Sequence, residues 1–253
     1  MRLRVVYDNR TVEPALAPAW GFACLVDDRL LFDTGGDAPR LLSNLRQMGV
    51  DPMGIRAIVL SHAHDDHTGG LGGLLGTGVR PTVCVPRSFP AQFKADVRRR
   101  TTLVEVDGPQ EILPGVRTTG EMGSEIIEQA LVVETGNATP GCAGLVVITG
   151  CAHPGVGAMV RRAREGTAGE VCLVIGGFHL MGAPRRAIDL VIADFRSLGV
   201  RQAAPCHCTG DAAMRRFAEA YGSDFIPVGV GSVIPVSHGR DPAGPRRRPR
   251  EEG

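Results

Sequence analysis

The chain has 253 residues, of which 43% are hydrophobic and 22% charged, and its net charge is +1. That length is sufficient for one large domain with a substantial core, and the composition excludes an intrinsically disordered protein. The near-neutral charge and an aromatic content of 4% argue against nucleic acid as the main partner.

The N-terminal residues lack the apolar segment of a signal peptide, and no apolar run is long enough to span a membrane. The seven cysteines are scattered and form no CxxC pair. We therefore expect a cytoplasmic protein with reduced thiols.

The first third of the chain predicts short strands followed by a helix. Strands are expected in RLRVVYD, GFACLVDD and RLLFDTG, with Asp27 and Asp28 in a hairpin turn. From Pro39 the apolar residues follow helical spacing, and Gly49 suits the end of that helix. A buried strand, IRAIVLS, follows.

The remaining chain predicts further strands and helices. PTVCVP, TTLVEVD, GVRTTG and QALVVETG have strand character, and AQFKADVRRR is helical or irregular. Three later segments, GLVVITGCAH, EVCLVIGGFH and VRQAAPCH, each end in a histidine and lead into a helix. If their strands share a sheet, those histidines converge at one edge. We assign residues 1–237 to one domain and residues 238–253 to a flexible tail rich in arginine and proline.

The segment HAHDDH concentrates three of the seven histidines within six positions, directly after a predicted strand. The simplest alternative is a polar loop exposed to solvent, but such a loop does not require three histidines and two aspartates at these positions. Imidazoles and carboxylates are ligands for zinc, iron and manganese. With the later histidines there are more donors than one tetrahedral zinc uses, whereas two ions about 3.5–4 Å apart would use them all.

HAHDDH resembles the HxHxDH signature of the metallo-β-lactamase superfamily. LLFDTGG, GCAHPG and PCHCTG resemble further motifs of that superfamily, in the same order and with similar spacing. The resemblance implies an α/β fold, a four-layer αββα sandwich with metals at one edge. YDN, GGFHL and HCTG are also similar to the branch that includes 7,8-dihydropterin-6-methyl-4-(beta-D-ribofuranosyl)aminobenzene 5'-phosphate synthase, most of whose members are regarded as metal-dependent hydrolases.

The resemblance implies two divalent ions, with zinc expected first and manganese or iron as alternatives. The ligands that it implies for the first ion are His62, His64 and His153, and those for the second ion are Asp66, His67 and His207. Asp33 is implied to orient the loop that carries HxHxDH, and Asp65 to be an exposed carboxylate. Asp66 is also a candidate catalytic residue.

One position departs from the superfamily pattern. Most superfamily hydrolases have an aspartate that bridges the two metals, but no acidic residue occurs here between Glu170 and Asp189. His179 is the remaining candidate there. It is either a metal ligand or a catalytic residue that donates a proton or hydrogen bond to the substrate, and both roles stay open.

The expected function is that of a metal-dependent hydrolase in which a metal-bound hydroxide attacks a phosphate ester or a related small molecule. One alternative is the synthase reaction of the similar branch, which condenses a dihydropterin diphosphate with a ribofuranosylaminobenzene phosphate and releases diphosphate. Another is a metal-dependent binding protein without turnover. The expected partner is a small-molecule substrate, with phosphorylated compounds among the candidates and neither nucleic acid nor membrane involved.

Overall fold

The strands form two sheets in the computed structural model, which describes residues 1–135, 144–167 and 169–236. In chain order the strands of the described residues are β1 (Arg2–Tyr7), β2 (Ala23–Val26), β3 (Leu30–Phe32), β4 (Ala57–Val59), β5 (Thr82–Pro86), β6 (Leu103–Val106), β7 (Gln110–Leu113), β8 (Val116–Thr118), β9 (Leu131–Glu134), β10 (Gly144–Thr149), β11 (Glu170–Gly177), β12 (Gln202–Cys206) and β13 (Val233–Pro235). The first sheet has the order β13-β1-β2-β3-β4-β5-β6, and the second has the order β12-β11-β10-β9-β8-β7.

Both sheets are mixed. Strands β3 to β6 are parallel to one another, and β10, β11 and β12 are also parallel. The strand pairs β2–β3 and β9–β10 are antiparallel. Parallel neighbours end at the same edge of a sheet, so each sheet presents a row of strand carboxyl ends.

The helices cover the outer faces of the two sheets. They are α1 (Ala38–Gln47), α2 (Asp65–Thr68), α3 (Leu71–Gly76), α4 (Ala91–Arg98), α5 (Val156–Arg164), α6 (Arg185–Ser197) and α7 (Asp211–Tyr221). Short 3-10 turns occur at Pro52–Gly54, His207–Thr209 and Gly222–Asp224. Apolar residues of α1, α3 and α4 pack on the first sheet, and those of α5, α6 and α7 pack on the second.

The core between the sheets follows from strand alternation. In β10, Val146 and Ile148 face the core that both sheets share, whereas Leu145 and Val147 face the layer of α5 to α7. A period of two along a strand places apolar side chains on both faces when both faces are covered. The predicted four-layer αββα sandwich is therefore confirmed.

Local predictions in the first third also hold. Asp27 and Asp28 have φ values of 50° and 54° and connect β2 to β3. Helix α1 starts one residue before Pro39, with Asp37 accepting a hydrogen bond from the backbone N–H of Arg40 at 2.8 Å. It ends before Gly49, whose φ of 68° is left-handed.

Two other predictions have different outcomes. Five cysteines in the described residues are free thiols, but Cys172 is disulfide-bonded, so the prediction of reduced thiols throughout is wrong at that residue. The predicted boundary at residue 237 and the tail of residues 238–253 lie outside the described residues.

Within the residues that the structure describes, no helix is both long and apolar enough to cross a membrane.

Candidate metal centre

The carboxyl ends of five strands meet at one edge of the sandwich, and the predicted site residues lie there. Asp33 follows β3 and residues 62–67 follow β4 in the first sheet. His153, His179 and His207 follow β10, β11 and β12 in the second sheet. The centre is therefore built from both sheets.

Three imidazoles form one possible ion-binding group, which we call the imidazole group. The ligand atoms of His62, His64 and His153 all lie within 4.8 Å of one another. The Nε2 atom of His62 is 3.0 Å from the Nδ1 atom of His64, and the ring centroids of His62 and His153 are 4.7 Å apart. Three imidazoles are a ligand set of catalytic zinc sites that keep a fourth position open.

A second cluster, the mixed group, contains Asp66, His67, His207 and Cys151, again with ligand atoms within 4.8 Å of one another. The Nε2 atom of His67 is 3.6 Å from Asp66 Oδ2 and 3.2 Å from Cys151 Sγ. The Nε2 atom of His207 is 3.3 Å from Asp66 Oδ2. The structure thus brings the three residues predicted for a second ion together, and adds a cysteine that the sequence analysis missed.

Four imidazoles have their Nδ1 atoms engaged by protein oxygens. The pairs are His62 with Ser61 Oγ at 2.8 Å, His67 with Asp33 Oδ2 at 2.7 Å, His153 with Glu128 Oε2 at 2.8 Å and His207 with Asn9 Oδ1 at 3.2 Å. An Nδ1–H that donates to oxygen fixes the ring and leaves the Nε2 lone pair for an ion.

Asp33 organises the loop that carries HxHxDH. Its Oδ1 atom accepts from the backbone N–H of Ser61 at 2.6 Å, and its Oδ2 atom accepts from the Ser61 hydroxyl at 2.7 Å. Because the only hydroxyl proton of Ser61 goes to Asp33, Ser61 Oγ accepts from His62 Nδ1–H. Burial raises the pKa of Asp33 to about 7, against hydrogen bonds and nearby imidazoles that favour its carboxylate.

Glu128 holds the loop after β10 in the same way, and no sequence motif marks it. Its buried carboxylate accepts hydrogen bonds from the backbone N–H groups of Cys151, Ala152 and His153 at 2.8–2.9 Å, in addition to His153 Nδ1. Burial alone would raise the pKa of Glu128, but these hydrogen bonds and nearby His62 lower it to about 2.

The protonation states suit cation binding. Burial, with help from neighbouring imidazoles, lowers the pKa of His62 and of His67 to about 3. Both rings are therefore neutral at pH 7 and carry a free lone pair. Burial raises the pKa of Asp66, but the imidazoles of His207 and His67 outweigh that effect and hold the pKa below its ordinary value.

Backbone strain is concentrated at this centre. Apart from the hairpin of Asp27 and Asp28, the non-glycine residues with positive φ among the described residues are Asp33, Ala152, His179 and His207, with φ between 50° and 61°. Such conformations are uncommon for side chains with Cβ, and they cluster at functional sites. Each of them lies within three residues of the end of a strand that leads to the centre.

His179 lies outside both groups, at the mouth of the centre, and forms a third cluster with Cys151 and Cys208, whose ligand atoms lie within 4.8 Å of one another. It is exposed, and its ring centroid is 4.5 Å from that of His153. Both histidines line a cavity of about 400 Å³ together with residues 123–126. Burial and the neighbouring His153 lower the pKa of His179.

On another side of the centre, Trp20 is 52% exposed and its ring centroid is 4.8 Å from that of His207.

The residues present fit a divalent ion, as the superfamily resemblance implies. His207 is 3% exposed, and its Nε2 atom has no hydrogen-bond partner among the described residues, although such buried atoms are rarely left unpaired. An ion at the mixed group would satisfy that atom. Imidazoles, a carboxylate and a cysteine that binds as a thiolate are a suitable set of zinc donors.

Of the residues that the sequence analysis missed, Cys151 carried a weak signal, because it lies two positions before His153 in GCAHPG. Glu128 carried no signal, whereas Asn9 belongs to YDN, which is part of the resemblance but does not by itself indicate a contact with His207. Asn9 reaches His207 across 198 positions of the chain.

A family model of the metallo-beta-lactamase superfamily matches residues 21–167. The 7,8-dihydropterin-6-methyl-4-(beta-D-ribofuranosyl)-aminobenzene-5'-phosphate synthase of Methanocaldococcus jannaschii is 30% identical over 249 residues, which cover 83% of this chain and 85% of the relative. The solved structure of Tm1679, a metal-dependent hydrolase of the beta-lactamase superfamily, matches with a TM-score of 0.79 and 28% identity over 94% of this chain and 99% of Tm1679.

A diphosphatase from the PhnP family shares the fold, with a TM-score of 0.61 and 13% identity over 95% of this chain and 99% of that one. The family match spans more than half of the 253 residues, and the motifs that carried the resemblance lie at the candidate centre. The chain belongs to the metallo-beta-lactamase superfamily.

Proposed function

We propose that this chain is a hydrolase that uses two zinc ions to cleave a phosphate ester or a related small molecule. The observation that carries the proposal is the adjacency of the imidazole group and the mixed group, since the ring centroids of His62 and His67 are 4.3 Å apart and His153 lines the neighbouring cavity. The relative Tm1679, itself a metal-dependent hydrolase, supports it, since it matches this chain over nearly its whole length.

The bound ions would supply Lewis acidity and water that is activated at neutral pH. His62, His64 and His153 would hold the first ion, and Asp66, His67 and His207 the second. Asp33 and Glu128 keep the rings in place, because they accept from the Nδ1 atoms of His67 and His153. Asp66 contributes the negative charge that offsets an ion and remains ionised at neutral pH.

His179 is placed to act on the substrate. It is exposed at the cavity and belongs to neither group. From there its imidazole can donate a hydrogen bond to the departing oxygen of a substrate that enters the cavity. We therefore favour the substrate role of His179 over the ligand role.

The proposal is tested by metal stoichiometry and by hydrolysis of bis-nitrophenyl phosphate, on protein purified without chelator or metal affinity resin. We expect close to two zinc ions per chain and measurable turnover. Asp66→Ala should lose turnover and one ion, whereas Asp65→Ala should retain both, because Asp65 is an exposed carboxylate of the same turn. Protein that binds no metal, or an Asp65→Ala variant as impaired as Asp66→Ala, would contradict the proposal.

A second candidate function is the condensation carried out by the synthase from Methanocaldococcus jannaschii, with which this chain is 30% identical. Exposed Trp20 beside His207 favours it, because an indole offers a face on which a flat ring can stack. The same protein would be incubated with a dihydropterin diphosphate and a ribofuranosylaminobenzene phosphate. Release of diphosphate only when both are present would replace hydrolysis by condensation as the function.

A further inference from the structure

We propose that Cys151 is a ligand of the second ion and supplies, as a thiolate, the negative charge that an aspartate after β11 supplies elsewhere in the superfamily. The mixed group would then hold its ion with one carboxylate, two imidazoles and one thiolate. The inference rests on the metal centre of the proposed function and deepens it, because it also specifies the kind of ion.

The position of Cys151 is the first observation. The residue is 4% exposed and is a free thiol. Its Sγ atom lies 3.2 Å from the Nε2 atom of His67, the atom that is left for an ion once Nδ1 has bound Asp33. Its backbone N–H is held by Glu128 at 2.9 Å, so the loop that presents the thiol is fixed.

An independent observation concerns His207. Its Nε2 atom is buried and makes no hydrogen bond of good geometry among the described residues, although Asp66 Oδ2 lies 3.3 Å away, and it belongs to the same group as Cys151 Sγ. A buried nitrogen without a partner is costly unless something else binds it. An ion between His207, His67, Asp66 and Cys151 would engage all four donors.

The last residue of β11 has no room for an acidic side chain that could supply this negative charge to the second ion. A Cβ atom on Gly177 would lie 2.3 Å from the carbonyl oxygen of Gly150 and 2.6 Å from Cys208 Sγ. Such contacts exclude any side chain at Gly177, the last residue of the strand. The cysteines near this position are Cys208, which follows β12, and Cys151, which follows β10, and of the two only Cys151 belongs to the mixed group.

Cys208 is a nearby thiol with a different environment, and it provides a matched control. It is also buried, and its Sγ atom lies within 4.8 Å of Cys151 Sγ and of a ring nitrogen of His179. However, its thiol donates to the carbonyl oxygen of Cys151 at 3.6 Å. Its thiol therefore points to the backbone, whereas the Cys151 thiol points to His67 Nε2 at 3.2 Å, inside the mixed group, where an ion would displace its proton.

The donor set determines which ion is preferred. Thiolate and imidazole favour zinc, whereas manganese and magnesium favour oxygen donors. A thiolate together with Asp66 also neutralises the two positive charges of the ion. We therefore expect the mixed group to select zinc over manganese, and Cys151→Asp to weaken that selection.

The experiment is zinc-edge X-ray absorption combined with zinc stoichiometry, on the full chain loaded with zinc. We expect wild type and Cys208→Ser to bind two zinc ions and to show one sulfur per pair of ions at about 2.3 Å. Cys151→Ser should lose the sulfur signal and one zinc ion.

Two zinc ions with nitrogen and oxygen neighbours only, or a sulfur signal lost in Cys208→Ser, would overturn the inference and leave the proposed function standing. No bound zinc would overturn both. If Cys151→Ser does not fold, the wild type and Cys208→Ser still decide the result, because the other free thiols in the described residues belong to neither group.

Discussion

Replacing Glu128 by glutamine tests whether a buried carboxylate holds the loop after β10. Glu128 Oε1 accepts from two backbone N–H groups, and Oε2 accepts from the N–H and the Nδ1 of His153. In Glu128→Gln one of these oxygens becomes an NH₂ group that faces other donors. The variant therefore leaves buried donors unpaired, which costs about 1–3 kcal/mol.

The pKa of Glu128 gives a second measure of the same effect. It is lowered from 4.5 to about 2, which corresponds to roughly 3 kcal/mol at about 1.36 kcal/mol per unit. Because the folded pKa is the lower one, this stabilisation is fully present above pH 4.5 and is lost as the pH falls through about 2. At pH 7 we expect Glu128→Gln to lower the free energy of unfolding by about 3 kcal/mol.

The assay is urea unfolding of chelator-treated protein, followed by circular dichroism from neutral to acidic pH. Chelator treatment removes the contribution of bound ions to stability. Glu125→Gln, an exposed change in the same segment, is the control and should alter stability by less than about 0.5 kcal/mol. A Glu128→Gln variant as stable as the control, or a deficit that does not shrink below pH 4.5, would refute the reasoning.

Three further substitutions probe the centre. Asn9→Ala should weaken zinc binding by about 10–100-fold in a chelator competition, because His207 Nδ1 loses its partner; unchanged affinity would contradict that role. His179→Ala should keep both ions but reduce kcat on the order of 10²-fold, and loss of an ion would instead make it a ligand. Trp20→Ala should raise KM for an aryl phosphate about 2–10-fold and leave KM for an alkyl phosphate unchanged. Trp20→Phe should return KM for the aryl phosphate to its wild-type value.

The fold was accessible from the sequence because its signals are local. The helical spacing from Pro39 to Gly49 and the Asp27–Asp28 turn each involve neighbouring residues, and the structure contains both. The residues around Gln110 gave no such signal. Strand β7 pairs only with β8 within its sheet, and its side chains are half-buried or exposed, so no clear alternation marks it.

The candidate centre was accessible only in part. HAHDDH and the strand-end histidines are recognisable because their residue types are rare in other settings. Glu128 was not, since a buried carboxylate has no pattern of its own and acts through backbone N–H groups of a distant loop. The proposed role of Cys151 depends on its spatial contact with His67. Because His67 lies 84 positions away in the chain, the sequence around Cys151 does not reveal that contact.

The metal donors are divided between the two sheets, and this explains why only part of the centre could be predicted from the sequence. The imidazole group takes His62 and His64 from the first sheet and His153 from the second. The mixed group takes Asp66 and His67 from the first sheet, and its other two donors follow β10 and β12 of the second. Neither group is complete within one sheet, so both form only when the shared core brings the sheets together. A motif read along the chain therefore identifies one half of the centre, and the complementary half follows from packing between the sheets.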